Sequence, residues 1–255
     1  MEILLDTIKS YDSTYKSGYD KSYPSLELVR IEKIFFKKKG SVLDFGCGPG
    51  TNGIHLLKKG YNLTFCDISE FALKKVTKKI KKLKIKKKFK ILNLLKNKNF
   101  FSKNRNKFDF IICFSVMNNF QDKKTAKEYL GYFNQILKKR GKIIIDSNLY
   151  GSHNYKSINK KKNLFTTNPK NNYRLKMFFP KKKEFVNMIK SSGFVINDVG
   201  LSSFKVFSTF EKEIIVSATK SFQLFDEPPY SASAFSPLKI NLIPNLSAIV
   251  TGNNT

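Results

Sequence analysis

The 255-residue chain carries 48 Lys and Arg against 19 Asp and Glu, a formal net charge of +29, with 41% hydrophobic and 14% aromatic residues. That balance excludes a disordered chain and suits one large domain with a sizeable core. No run reaches the roughly 18 apolar residues of a membrane span, and MEILLDTIKSYD at the start has neither a signal nor a transit pattern, so a cytoplasmic protein is expected.

The three cysteines, Cys47, Cys66 and Cys113, are too few and scattered for a disulfide framework, and no His or acid stands at ligand spacing from them. They read as small buried thiols, and no metal is expected. The positive charge is almost all lysine, with four arginines only, whereas nucleic-acid sites favour the bidentate guanidinium. Lys, Asn, Ile and Phe are together the residues of A/T-rich codons, so genomic codon bias is the favoured source of the charge. Polyanion binding is the competing one.

In chain order, SVLDF (41–45) reads as a buried strand, TNGIHLLKKG as a helix closed by Gly60, and YNLTFCD (61–67) as a second strand. Ser69 caps a helix whose stripe is Leu73, Val76, Ile80 and Leu83, with lysines on the solvated face. KFKILNL (88–94) and the almost wholly apolar KFDFIICFSV (107–116) are strands three and four, the latter fit to be buried on both faces. A helix runs from Asp122 to a stop at Gly141, and KIIIDS (142–147) is strand five. From 148 to about 180 the pattern lapses into a polar, Asn-rich, irregular segment, the kind that serves as a lid or binding loop. A helix from Pro180 to Gly193 follows. VINDVG and EKEIIVSATK are late strands too close together for a crossover helix, so they pair antiparallel. Residues 221–255 have no clear period and read as an appendage. The alternation predicts an α/β, doubly wound, mostly parallel seven-stranded sheet with an antiparallel last strand.

The glycine turn VLDFGCGPG (42–50) follows strand one, where nucleotides bind. A phosphate-binding P-loop requires Gly-Lys-Ser/Thr, but Gly50 is followed by Thr51 and Asn52. A dinucleotide turn requires a glycine where Thr51 stands, and Asp44 would repel a pyrophosphate resting on the helix start. S-adenosylmethionine has no phosphate and carries a sulfonium and an ammonium. An acid is favourable beside it, and glycines let the backbone approach its amino-acid portion.

VLDFGCGPG also resembles the first motif of the class I S-adenosylmethionine-dependent methyltransferases, and the similarity continues in order through roughly residues 23 to 218. The resemblance implies the Rossmann-like methyltransferase fold and S-adenosyl-L-methionine as cofactor. Asp44, Gly46, Cys47, Gly48 and Gly50 would line the cofactor. TFCDIS resembles the second motif, giving Asp67, with Ile68 beside it, the ribose hydroxyls; a carboxylate can accept from both. FKILNL resembles the third motif, where Asn93, beside Leu94, replaces an acid that accepts from the adenine amino group. FDFIICFSVMNNF resembles the fourth, bringing Phe114 to the cofactor, while Asn118 and Asn119 replace a common His-His pair. Related enzymes fold an N-terminal segment over the cofactor. Here Tyr11, Tyr15, Tyr19 and Tyr23 are available, and Tyr23 and Arg30 are the candidates to touch its carboxylate or the substrate, with plain packing the competing reading.

The expected domain plan is a helical cap over 1–40, the methyltransferase domain over 41–220 with an acceptor-side insertion at about 148–180, and the appendage. Methyl transfer needs alignment above all, and a base only for a weakly acidic hydroxyl. Asn118 and His153 are the catalytic candidates, Asn118 as a positioning group and His153 as a base. DEPPY (226–230) follows the wrong strand to be an amino-methylating motif. The expected acceptor is a small molecule: a metabolite, quinone-like lipid precursor or sugar. An RNA acceptor, or a cofactor-binding protein without catalysis, are the alternatives.

Overall fold

The computed structural model describes residues 2–152, 155–159, 164–167, 175–206 and 209–221. Two helices, α1 (Glu2–Lys16) and α2 (Leu26–Phe35), precede the alternating unit. That unit runs β1 (Ser41–Phe45), α3 (Thr51–Lys58), β2 (Asn62–Asp67), α4 (Glu70–Lys82), β3 (Phe89–Asn93), α5 (Phe100–Lys103), β4 (Phe108–Cys113), a 3-10 turn (Met117–Asn119), α6 (Lys123–Ile136) and β5 (Leu137–Asn148). Strands β6 (Tyr155–Asn159), β7 (Leu164–Thr167) and β8 (Lys176–Phe178) follow. The described chain closes with α7 (Lys182–Ser191), β9 (Phe194–Val206) and β10 (Thr209–Lys220).

The main sheet has seven strands in the order β3-β2-β1-β4-β5-β10-β9. The first five are parallel, and β10 inserts antiparallel between β5 and β9. Helices cover both faces, so strand residues alternate between two cores. On β5, Ile143 and Ile145 pack with Phe133 and Phe185 from α6 and α7, while Ile144 packs with Leu28, Leu56 and Phe65 on the other side. This is the doubly wound, mostly parallel arrangement expected. Strand order reverses between β1 and β4, and the carboxyl ends diverge there into a crevice.

Local chemistry explains the helices. Ala72, Leu73, Val76 and Ile80 form the buried stripe of α4, and the Ser69 side chain caps it by accepting from Ala72 N–H at 3.2 Å. Asp122 caps α6 by accepting from Thr125 N–H at 2.8 Å. The sequence predicts that α6 runs to Gly141, but it stops at Ile136. Leu137 is fully buried and pairs with Phe108, so tertiary packing turns LKKRG into the start of β5, with Arg140 at φ +59°.

The segment after β5, expected to be irregular, carries a three-stranded antiparallel sheet, β6-β7-β8. Lysine and asparagine obscure its strand pattern. Its apolar content is concentrated in LKMFF, where Leu175, Met177 and Phe179 share one cluster and Phe178 enters the main core. Among the described residues no helix is long and apolar enough to cross a membrane. All three cysteines are free and buried.

Candidate active site

The carboxyl end of β1 runs straight into the glycine turn. Gly46, Gly48 and Gly50 take φ of +66°, +52° and +78°, the left-handed region that a side chain disfavours. A Cβ on Gly48 would also stand 2.7 Å from the Tyr15 hydroxyl, and one on Gly46 would strike Val116 from the loop after β4. The turn is therefore closely walled by α1 on one side and the β4 loop on the other. Gly50 ends the turn as the residue before α3, so that helix starts beside the crevice. Cys47 is buried within it, its N–H donating to the Cys66 carbonyl at 3.0 Å.

Asp44 is buried beneath this turn, and its Oδ2 has no hydrogen-bond partner among the described residues. Burial is the main reason its carboxyl is pushed up to about 7; the Gly53 backbone favours the ionised form and Asp67 opposes it. An orphaned buried carboxylate oxygen fits a cationic ligand, as the sulfonium and ammonium of S-adenosylmethionine are.

Asp67 closes β2 and is only 6% exposed. Its Oδ2 accepts from Gly48 N–H and its Oδ1 from Ser69 N–H, each at 2.8 Å. Burial raises its pKa, and those backbone donors oppose the rise. The carboxylate is thus held rigidly between the glycine turn and the start of α4, with lone pairs left for a diol. Ile68 lies half-buried beside it. Asn93 closes β3 next to Asp67. Its Oδ1 accepts from Leu95 N–H at 2.9 Å, so the amide braces the turn carrying Leu94. Leu94 N–H in turn donates to the Asp67 carbonyl at 3.0 Å.

Beyond β4, Phe114 is half-buried against the α2–α3 core. Ser115 takes a left-handed φ of +57° and donates its N–H to Asp146 Oδ1 at 2.6 Å. Asn118 is buried in the 3-10 turn that follows. Asn119 Nδ2 donates to the Ser115 carbonyl at 2.9 Å. Strand β8 packs on this turn.

The N-terminal helix α1 spans these parts. Asp12 hydrogen-bonds the Ser69 hydroxyl, Tyr15 abuts Gly48, and Tyr11 packs on Leu175, Met177 and Phe179. The Tyr11, Tyr15 and Tyr19 rings form a row, with centroids 6.2 and 6.0 Å apart. Burial, reinforced by Asp67, pushes the Tyr15 hydroxyl far above its usual range, so it stays a neutral donor. Of the four N-terminal tyrosines, Tyr15 is the one buried beside the glycine turn, whereas the sequence singles out Tyr23. It is 84% exposed, and Arg30 too lies on the exposed face of α2. The spacing of four between Tyr11 and Tyr15 is the signal that finds the helix face bearing the inward ring. His153 lies outside the described residues, as do 222–255. Among the described residues no cluster of His, Cys, Asp or Glu suits a metal ion.

A doubly wound sheet of this strand order, a glycine turn after β1 and an acid closing β2 define a Rossmann-like methyltransferase architecture. The family model described as a methyltransferase domain matches residues 19–198. The chain belongs to that family, within class I of the S-adenosylmethionine-dependent methyltransferases. No curated protein matches in sequence. Among solved structures, an S-adenosylmethionine-dependent methyltransferase from Methanosarcina mazei is 19% identical, over 76% of this chain and 98% of that one, at a TM-score of 0.64. The 1,6-didemethyltoxoflavin-N1-methyltransferase of Burkholderia thailandensis, with bound 1,6-didemethyltoxoflavin and S-adenosylhomocysteine, is 15% identical. It covers 87% of this chain and 90% of its own, at 0.67. The magnesium protoporphyrin IX methyltransferase of Synechocystis, with bound S-adenosylmethionine, is 16% identical over 85% and 81%, at 0.52.

Proposed function

We propose that the protein transfers a methyl group from S-adenosylmethionine to a small molecule in the cytoplasm. The observation that carries the small-acceptor reading is the closure of the acceptor side. Tyr11 of α1 packs on Leu175, Met177 and Phe179, in and beside β8, a contact that supports a cap and an insertion meeting over the acceptor. A folded RNA needs an open approach. The Burkholderia and Synechocystis relatives are themselves named for small acceptors. The free cysteines suit a reducing compartment.

In this reading residues 1–40 cap a methyltransferase domain of residues 41–220, the insertion at about 148–180 walls the acceptor, and 221–255 is an appendage. Asp67 accepts from the ribose hydroxyls, Asp44 faces the cationic portion, and Gly46, Cys47, Gly48 and Gly50 give the amino-acid portion room. Ile68, Leu94 and Phe114 supply apolar contact to the adenosine. Asn93 offers adenine only its remaining acceptor capacity. Bound S-adenosylmethionine supplies an electrophilic methyl on a good leaving group. The chain's task is alignment, which alone contributes up to roughly 7–11 kcal/mol. Asn118 orients the acceptor, and His153 accepts a proton where the acceptor is a hydroxyl.

Incubation with methyl-labelled cofactor and cell extract tests the reading: label is expected in a small-molecule fraction. Label in RNA, or none, would overturn it. Asp67→Ala should weaken cofactor binding in a calorimetric titration by about 1.5–3 kcal/mol, the scale of charged hydrogen bonds.

A further inference from the structure

An acid pair, Asp146 buried and Glu213 half-buried, stands at the carboxyl end of β5 and has no role in the cofactor reading. Asp146 is 3% exposed, and Glu213 lies on the neighbouring strand β10, where Ile215 pairs with Asp146 and Glu213 with Asn148. Asp146 and Glu213 thus lie on the same face of adjacent strands, as diagonal neighbours, and each shifts the other's titration. Asp146 Oδ1 accepts from Ser115 N–H at 2.6 Å. Ser202 of β9 approaches Glu213 Oε2 at 3.5 Å. Two ionised carboxylates repel at such close quarters, which favours holding one proton between them.

The bond to Ser115 gives the pair a reach beyond itself. Ser115 holds a left-handed conformation without being glycine, which is strained and persists only where the surroundings impose it. Asp146 supplies that constraint. The held loop passes Val116 across Gly46 and then forms the turn bearing Asn118. We propose that the Asp146–Glu213 pair is a positioning device, its shared proton setting the loop after β4 and thereby Asn118 on the acceptor side of the methyl donor. The assignment of that side rests on the methyl-transfer reading; the mechanical coupling does not.

Every neighbouring charge bears on the titration. Burial raises both acids; Glu213 raises Asp146 further, and Glu27 of α2 and Glu211 of β10 raise Glu213. Lys21, from the segment before α2, and the Ser115 N–H favour ionised Asp146, and Cys113 lies within reach of its field. The folded pair therefore holds its proton to higher pH than free carboxylates do and loses it as pH rises. Loss leaves two adjacent carboxylates, which repel and release the loop.

Amide hydrogen exchange, corrected for its intrinsic pH dependence, tests this without an acceptor. The reporter is Asn119 N–H, which donates to the Val116 carbonyl at 2.8 Å inside the loop. Its protection should fall by about tenfold in the wild type between about pH 6 and 9, with core amides of β1 and β2 unchanged as a folding control. Asp146→Asn, whose amide accepts from Ser115 and donates to Glu213 at every pH, should remove the pH dependence while keeping the protection. Glu213→Gln, which leaves a single carboxylate with an amide donor beside it, should likewise remove the pH dependence. Asp146→Leu should lose the protection throughout. Cofactor affinity should stay within about threefold in Asp146→Asn, which keeps the loop held. A flat wild-type profile, an unaltered slope in Asp146→Asn, or full protection in Asp146→Leu would each overturn the proposal. Failure of the labelled-methyl experiment would leave these outcomes standing, and their failure would leave that experiment unaffected.

Discussion

Asp44 shows how one residue sets stability against function. Its folded pKa, about 7, stands above the ordinary carboxylate value of 3.8. The folded chain therefore binds more protons than the unfolded chain across that interval, and stability falls as pH rises from about 4 to 7. Asp44→Asn removes the cost of burying the charge. It should stabilise the ligand-free protein by about 2–4 kcal/mol at pH 8 and by about 1 kcal/mol at pH 5, read by urea denaturation. The same variant should bind S-adenosylmethionine more weakly. Wild-type affinity should rise as pH passes upward through Asp44's pKa, because a cation prefers the ionised acid, and the variant should lose that dependence. Equal stability of the two proteins at pH 8 would remove the cost assigned to Asp44.

Among the elements, legibility followed how local the determinants are. The glycine turn and Asp67 were readable because their requirements are written into adjacent residues: left-handed glycines, and an acid ending a strand. The strand alternation was readable from runs such as FDFIIC, which suit only a doubly buried strand. The end of α6 was not, because KKRG carries a local stop signal while the pairing of Leu137 with a distant strand decides the outcome. The β6–β8 sheet was missed because lysines and asparagines break its alternation. It is fixed instead by contacts made far along the chain, with α1 and the 3-10 turn. For α1 itself, neither main core contains one of its described side chains. Deleting residues 1–19 should therefore leave the cooperative unfolding of the sheet nearly unchanged while weakening cofactor binding on the order of tenfold. A calorimetric scan and titration of the truncated protein check both halves.

At the scale of the whole molecule, the charge is unevenly spread. Between residues 71 and 108 there are sixteen Lys and Arg and no Asp or Glu, so the outer face of α4 and the edge strand β3 are strongly positive. Few carboxylates neutralise them: Lys79 pairs with Asp20 and Lys96 with Glu70. Lysine points without the guanidinium fork predict attraction without sequence reading. Binding to generic RNA should be weak at physiological salt and fall steeply as salt rises, with no preference among sequences, in a fluorescence anisotropy titration. Selective binding that survives high salt would move the acceptor class to RNA.

Helix α1 touches three places at once, Ser69, Gly48 and the Leu175–Met177–Phe179 cluster. If the proposed cap and acceptor wall are right, one helix movement would have to free both ligands, and both products would leave in the same opening event. Chemistry should outrun that opening, giving a burst of methylated product in the first turnover and a slower steady state. Tyr11→Ala, which frees the helix at its acceptor end, should shrink the burst and raise the steady-state rate at saturating substrates. A linear first turnover in the wild type, measured by rapid quench, would show that the helix does not pace the cycle.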